Sequence, residues 1–356
     1  MKTINFKVLL VLFILATVGC SKELSNESID ETASDVNLEA THVPNSKMDY
    51  GSFEVKNGII YFEDTKDLVN TLKALANNVE FDIINYQNKI DKNLSEEEVL
   101  AFLDVEKWDE NQTFIDFENE HNFQSLRPIY EEKLTLWGEA GLIESDVNNP
   151  ANCLPFESLP VLTVLNQDAI LGVGNKLYKF LNNGVIYEIV DGNINTAAQI
   201  NENHNDGSFS QTNVKVLNLD ILDANKTNAY CYDRGNKNKD YYTVSNQKAN
   251  DRIKMVNAGS LFSFVEAKVI NWKKVGSRYK KFKRNTRTGV WNTNVNFCGA
   301  HGKVATNTNS MKYVKVRTYT DFTSPGQSAL KAGTGYLYTN SLVYSSYYHS
   351  FFTLLR

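Results

Sequence analysis

The sequence predicts an α+β protein: a helical and hairpin N-terminal region followed by a mostly antiparallel β C-terminal domain, a sandwich or open barrel. Two observations carry this. Apolar residues recur at helical spacing between about residues 65 and 137, whereas the last hundred residues are aromatic or β-branched runs parted by turn residues. A third is composition, since 42% hydrophobic and 12% aromatic residues are enough to fill packed cores.

The first segment reads as a targeting signal, residues 1–19. Lys2 and Lys7 form a positive start, and Val8–Ala16 is an apolar run too short for a permanent bilayer span. Thr17-Val18-Gly19 then supplies small residues before Cys20, whose thiol is the expected site of lipid attachment. The predicted membrane contact is acyl chain rather than helix, at about 0.8 kcal/mol per buried methylene. Residues 20–52 are polar and acidic, without an aromatic before Tyr50, and are expected to be a disordered tether.

An α+β domain is placed at 53–190. Phe53–Phe62 reads as a hairpin around Asn57-Gly58. Asp64 or Thr65 caps a helix with Leu68, Leu72, Leu75 and Val79 on one face, and Ser95 with Glu98 forms a capping box for the next. A further helical stretch, 112–137, is expected to be interrupted at Arg127-Pro128. After residue 150, strands at 177–180 and 185–187 flank turns at Gly174-Asn175 and Asn183-Gly184, and Val214–Leu219 is another short strand.

A β-rich basic domain is placed at 191–356. Its strands are expected at 261–272, 278–284, 290–297, 313–319 and 335–338. The net charge of −5 conceals a split: residues 251–356 hold 17 Lys and Arg against 3 acids, and the first 250 hold 20 against 39. A basic half attracts anionic glycans, lipid headgroups or nucleic acid; the plainer reading is that it docks on its own acidic half or consists of solvated strand faces.

Enzyme signatures are missing: there is no G-x-S-x-G, H-E-x-x-H, Walker A or G-x-G-x-x-G. No catalytic, cofactor-binding or metal-binding residue is assigned, and no cofactor is expected. Cys298-Gly-Ala-His301 has the spacing of half a metal site but no second pair nearby, so a strand-end cysteine and a turn histidine are the plainer reading. Asp191, Asn193, Asn195 and Glu202 match four positions of a calcium loop, yet Thr196 stands where glycine is needed, which favours a solvated Asn-rich loop. Carboxylate pairs such as Glu118 with Glu120, or Asp104 with Glu106, read as solvated. Cys153, Cys231 and Cys298 permit one disulfide, with Cys231–Cys298 the preferred pair.

The most pointed feature is Trp272–Arg284, where cations interleave with aromatics. Trp272, Arg278, Tyr279, Lys280, Lys281, Lys283 and Arg284 are the candidate ligand-binding residues, suited to phosphate or sulfate groups with rings stacking on bases or sugars, an anionic glycan being the expected ligand of an envelope protein. The plainer alternative is a hairpin with its aromatics in the core and its lysines guarding an edge.

With the Cys20 signal, Phe123-Gln124-Ser125-Leu126-Arg127, the Lys176–Ile189 hairpin and the Trp272–Arg284 segment together, the chain resembles a group of uncharacterised Bacteroidota surface lipoproteins. Ser21-Lys22-Glu23 is similar to their surface-export signal. The resemblance implies a lipid-anchored outer-membrane protein exposed at the cell surface, and brings no activity with it. The expected role is non-catalytic binding of an anionic glycan or surface ligand. A structural subunit of an envelope assembly, and a hydrolase without a recognisable motif, stand as alternatives. The expected partners are the membrane, through the lipid on Cys20, and an anionic glycan or another envelope protein; nucleic acid is not expected. Arg127 is read as a helix-cap or ion-pair residue.

Overall fold

The computed structural model describes residues 46–89, 94–139, 158–218, 236–292, 311–319 and 335–341, except positions 106, 108, 183, 245–246, 259, 282–283 and 314. The signal, most of the tether, all four cysteines, and the expectations for Glu106, Lys283 and His301 lie outside the described residues.

The chain builds an α+β fold of helices and mostly antiparallel sheets, as its pattern predicts. Strands β1 (Phe53–Lys56) and β2 (Ile59–Phe62) form the expected hairpin. Asn57 and Gly58 have φ of 52° and 71°, the two left-handed conformations of a turn whose twist matches its strands. Helix α1 (Thr65–Lys89) starts at Asp64, whose carboxylate accepts from the Asp67 amide at 2.9 Å, so Asp64 is the cap. Ser95 and Glu98 close the reciprocal capping box of α2 (Glu96–Val105), at 2.7 and 3.3 Å.

The predicted interruption of the next helix falls earlier than Pro128. Helix α3 (Gln112–Glu120) ends at Asn122, which is left-handed at φ 49°. The amides of Asn122 and Phe123 return to the carbonyls of Asn119 and Glu118, a Schellman closure. Arg127 and Pro128 instead begin α4 (Arg127–Glu139), where a proline lacking N–H costs no helical bond. Helix α5 (Leu159–Val164) is buried at all six residues and so carries no amphipathic stripe by which to predict it.

Strands β3 (Ile170–Val173), β4 (Lys176–Phe180), β5 (Val185–Ile189) and β6 (Val214–Asn218) complete a six-stranded sheet in the order β1-β2-β3-β4-β5-β6. Its pairings are antiparallel except β2 with β3. A parallel pair needs a long crossover, and this one contains α1 through α5. One face, with Ile60, Phe62, Leu171, Phe180 and Ile186, packs in a single core with Leu72, Phe114, Phe117 and Leu162 of those helices. The other face, with Ile59, Ile170, Leu177, Tyr187 and Ile189, is closed by Ala197 and Ile200. Burial on both faces explains why β3 and β5 are buried at every position rather than alternately.

Between β5 and β6 the expected Asn-rich loop contains a short helix, α6 (Ile194–Gln199), capped by Asn193. The calcium-loop oxygens are committed elsewhere. Asp191 accepts from Asn193 and Asn213, Asn193 from Asn195, and Glu202 from the Asn182 amide.

Ser46–Ser52, the end of the expected tether, lies along α1. Asn78 accepts from the Met48 amide (2.7 Å) and donates to its carbonyl (3.1 Å), while Thr71 and Asp67 receive the amides of Gly51 and Ser52. Tyr50 meets Phe117 edge-on at 4.9 Å. Gly51 permits this approach because a Cβ there would overlap the Asp67 backbone. Gly51→Ala is expected to lift this strap at a cost of about 1–3 kcal/mol. Limited proteolysis would show faster cleavage around residues 46–52, together with a lower melting temperature.

The later strands are β7 (Asn236–Val244), β8 (Gln247–Asn257), β9 (Ser263–Val275), β10 (Arg278–Lys281), β11 (Arg284–Asn292), β12 (Met311–Tyr313), β13 (Lys315–Tyr319) and β14 (Gly335–Ser341). They form one sheet ordered β10-β9-β8-β7, with β13 also on β9, and another ordered β12-β11-β14. All these pairings are antiparallel, and the described residues close no barrel. The hydrophobic core is continuous across the acidic and basic halves: Leu261, Phe262, Phe264, Ile270 and Trp272 join the helical core, with Phe262 stacked on Phe180 at 6.4 Å.

Candidate functional site

The basic aromatic segment forms the hairpin β9–β10, turned at Gly276 with φ 64°. Its register pairs Trp272 with Lys281, Lys273 with Lys280, Lys274 with Tyr279 and Val275 with Arg278. Directly opposed residues share a face, and successive residues alternate. The hairpin therefore sorts its own side chains. Trp272, Lys274, Tyr279 and Lys281 fall on one face, and Lys273, Val275, Arg278 and Lys280 on the other.

The first face attaches the hairpin at its base, through Trp272 and Lys281, while Lys274 nearer the turn is exposed. Trp272 is fully buried, which removes it from the expected set of contact residues: strand alternation carries its ring into the core. Lys281 lies over that ring at 5.8 Å and donates to Thr135 of α4 at 2.6 Å. The opposite face is solvated. Lys273, Arg278 and Lys280 are exposed, Val275 is 52% exposed, and among the described residues none of the three cations has an ion-pair partner. Like charges directly opposed destabilise a strand pair, so Lys273 against Lys280 costs the fold stability. Tyr279 is half-buried, and Arg284 sits opposite Tyr313 at the start of β11.

Beside Lys281, a cleft of about 480 Å³ opens between α4 and β10. Glu110, Glu131, Glu132 and Glu139 line it, with Lys281 as the one cation among the described lining residues. This field repels anions. Here, at Lys281, the basic half meets the acidic half.

Deeper in the same helical layer, Arg127 is an ion-pair residue. Its Nε and Nη2 donate to the two oxygens of Glu118 at 2.7 and 2.6 Å, and its Nη1 to Glu131 at 3.0 Å. Ser125 donates to Glu118 at 2.5 Å and accepts from the Arg127 amide at 3.2 Å. Burial alone would lower the Arg127 pKa, but the hydrogen bonds and charges of Glu118 and Glu131 outweigh it and raise the value. Glu118 is thus not solvated as its helix predicts, because the Schellman turn brings Arg127 back onto it; Glu120 and Asp104 are exposed, as expected.

A buried carboxylate, Glu188, lies in the first sheet. It accepts from Lys176 and Tyr178, each at 3.1 Å, and pairs with Lys215 at 3.7 Å. Burial first, then the Glu188 charge, pushes the Tyr178 hydroxyl far above its ordinary pKa. Both clusters are internally satisfied. Among the described residues no group of three or more His, Cys, Asp or Glu is placed to hold a metal, and no helix is long and apolar enough to cross a membrane.

Fold and site together define the class: an open-sheet α+β protein presenting a cationic hairpin face. No family model and no curated protein matches the chain. Among solved structures it is similar to a DUF4848 family protein from Bacteroides thetaiotaomicron, at 10% identity over 84% of this chain and 98% of that one, with a TM-score of 0.17. At that TM-score the likeness carries no structural or functional argument.

Proposed function

We propose that this chain is a lipid-anchored outer-membrane lipoprotein of a Bacteroidota surface family, with a non-catalytic role in binding an anionic glycan. The observation that supports this reading is the solvated hairpin face, where Lys273 and Lys280 oppose each other beside Arg278 with no ion-pair partner among the described residues. Sulfate or carboxylate groups would relieve that repulsion on binding. Residues 267–320 contain thirteen Lys and Arg and no Asp or Glu, so the hairpin's own neighbourhood in sequence supplies no counter-charge.

Binding of the full chain to heparin is expected to weaken steeply with salt. Lys273→Ala/Arg278→Ala/Lys280→Ala is expected to weaken it about tenfold, a loss of ~1.4 kcal/mol. Lys281→Ala, which loosens the attachment to Thr135, should change stability more than binding. Salt-independent binding, or an unaltered triple variant, would reject this reading. Anchoring is tested separately. Cys20→Ser is expected to move the protein from the membrane to the soluble fraction, and protease shaving of intact cells should remove the native form.

A further inference from the structure

The two faces of the β9–β10 hairpin hold their cations in opposite surroundings. On the attached face, Lys281 donates to Thr135 beside the glutamates of the cleft. On the outer face, Lys273 is directly opposite Lys280, and Val275 is opposite Arg278 one step nearer the turn. All four are exposed, and the three cations have no ion-pair partner among the described residues. Directly opposed residues have Cβ atoms about 5 Å apart, and diagonal neighbours such as Lys273 and Arg278 about 7–8 Å. Two ammonium groups on such a spacing can converge on one point. A sulfate or carboxylate brings one negative charge there, whereas a phosphate monoester brings about 1.5 to 2 at neutral pH. The opposed pair is therefore matched in charge by a single monoester. Arg278 is placed to take a further oxygen, and Val275, 52% exposed, leaves an apolar patch beside it.

We infer that the outer hairpin face selects a phosphorylated sugar: the monoester seats between Lys273 and Lys280, Arg278 takes a further oxygen, and the C–H face of the sugar ring rests on Val275. The inference rests on the anionic-glycan reading and narrows it from anions in general to the dianionic monoester. Monoester charge depends on pH, because the second proton leaves near about pH 6, whereas sulfate keeps one charge throughout. The preference for phosphate over sulfate therefore grows as pH rises through that range and vanishes below it, where both groups are monoanions. Inorganic phosphate and the headgroup of phosphatidic acid share the charge but present no ring to Val275.

The test titrates mannotriose carrying a terminal 6-phosphate, and the same trisaccharide carrying a 6-sulfate, into the full chain at constant ionic strength. The phosphate is expected to bind about tenfold more tightly at about pH 7.5, and no more tightly than the sulfate at about pH 5. Lys273→Gln or Lys280→Gln should each remove the preference, weakening the phosphate about tenfold and the sulfate far less, with an unchanged circular dichroism spectrum. Lys274→Gln removes an exposed cation from the other face and should leave the preference intact. Equal affinity for phosphate and sulfate at the higher pH overturns the inference, as does a preference that survives Lys280→Gln. A loss as large with Lys274→Gln also overturns it, by showing that net charge alone is read. Inorganic phosphate, or vesicles containing phosphatidic acid, binding as tightly as the phosphorylated trisaccharide would remove the sugar from it. If heparin binding depends on Lys273, Arg278 and Lys280 but phosphate has no advantage, the inference is rejected while the hairpin reading stands. If the wild-type chain binds neither heparin nor the trisaccharides, both are rejected.

Discussion

Arg127→Met is expected to destabilise the folded chain by about 3–5 kcal/mol, a larger loss than any exposed ion pair would produce. The substitution keeps most of the aliphatic volume and removes the guanidinium, leaving Glu118 and Glu131 charged, close together and only 11% and 16% exposed. Ser125 remains bonded to Glu118, but one hydroxyl does not compensate a lost bidentate cation. Arg127→Lys should recover part of the loss, because an ammonium restores charge without the two-pronged geometry toward Glu118. Denaturant melts of the two variants decide the matter: a cost below about 1 kcal/mol for Arg127→Met would show that the pair behaves as a solvated one. Glycan affinity should be unaltered in any fraction that remains folded, since the network faces the helical layer rather than the hairpin's outer face.

Trp272→Ala should cost a comparable amount, about 3–5 kcal/mol, through loss of a fully buried ring and the cavity left behind. Its indole Nε1 has no hydrogen-bond partner among the described residues, so Trp272→Phe forfeits packing but no hydrogen bond, and should cost clearly less. The substitution also tests whether the acidic and basic halves share a core. Trp272 belongs to β9, yet it packs in one cluster with Phe117 and Leu162. Trp272→Ala should therefore lower a single calorimetric transition. A second, separate transition for the basic half, with the helical half unmoved, would contradict a continuous core.

Much of the fold is legible locally. Asn57-Gly58 dictates its hairpin because both residues tolerate left-handed backbone, and Ser95 with Glu98 announces a helix start because both satisfy amides within one turn. The basic strands are visible because aromatic and β-branched runs parted by turn residues favour extended backbone. Where burial is uniform, periodicity disappears. Helix α5 is buried all round, so periodicity does not mark it as a helix, whereas β5, also buried on both faces, is legible only from its β-branched and aromatic run after the Asn183-Gly184 turn.

What only tertiary structure decided is which polar residues meet. The sequence by itself determines that residues 251–356 are basic, that Trp272–Arg284 interleaves rings with cations, and that Arg127 lies near acids. It does not determine that Glu118 is paired and largely shielded from solvent, since that follows from a chain reversal at Asn122. Nor does it reveal that Trp272 is core while Lys273 and Lys280 stand opposed in solvent, because register assigns the faces and a slip of one residue would exchange them. The physical reason is common to both cases. Composition and periodicity are local along the chain, whereas charge pairing and burial depend on distances set by strand register and turn geometry.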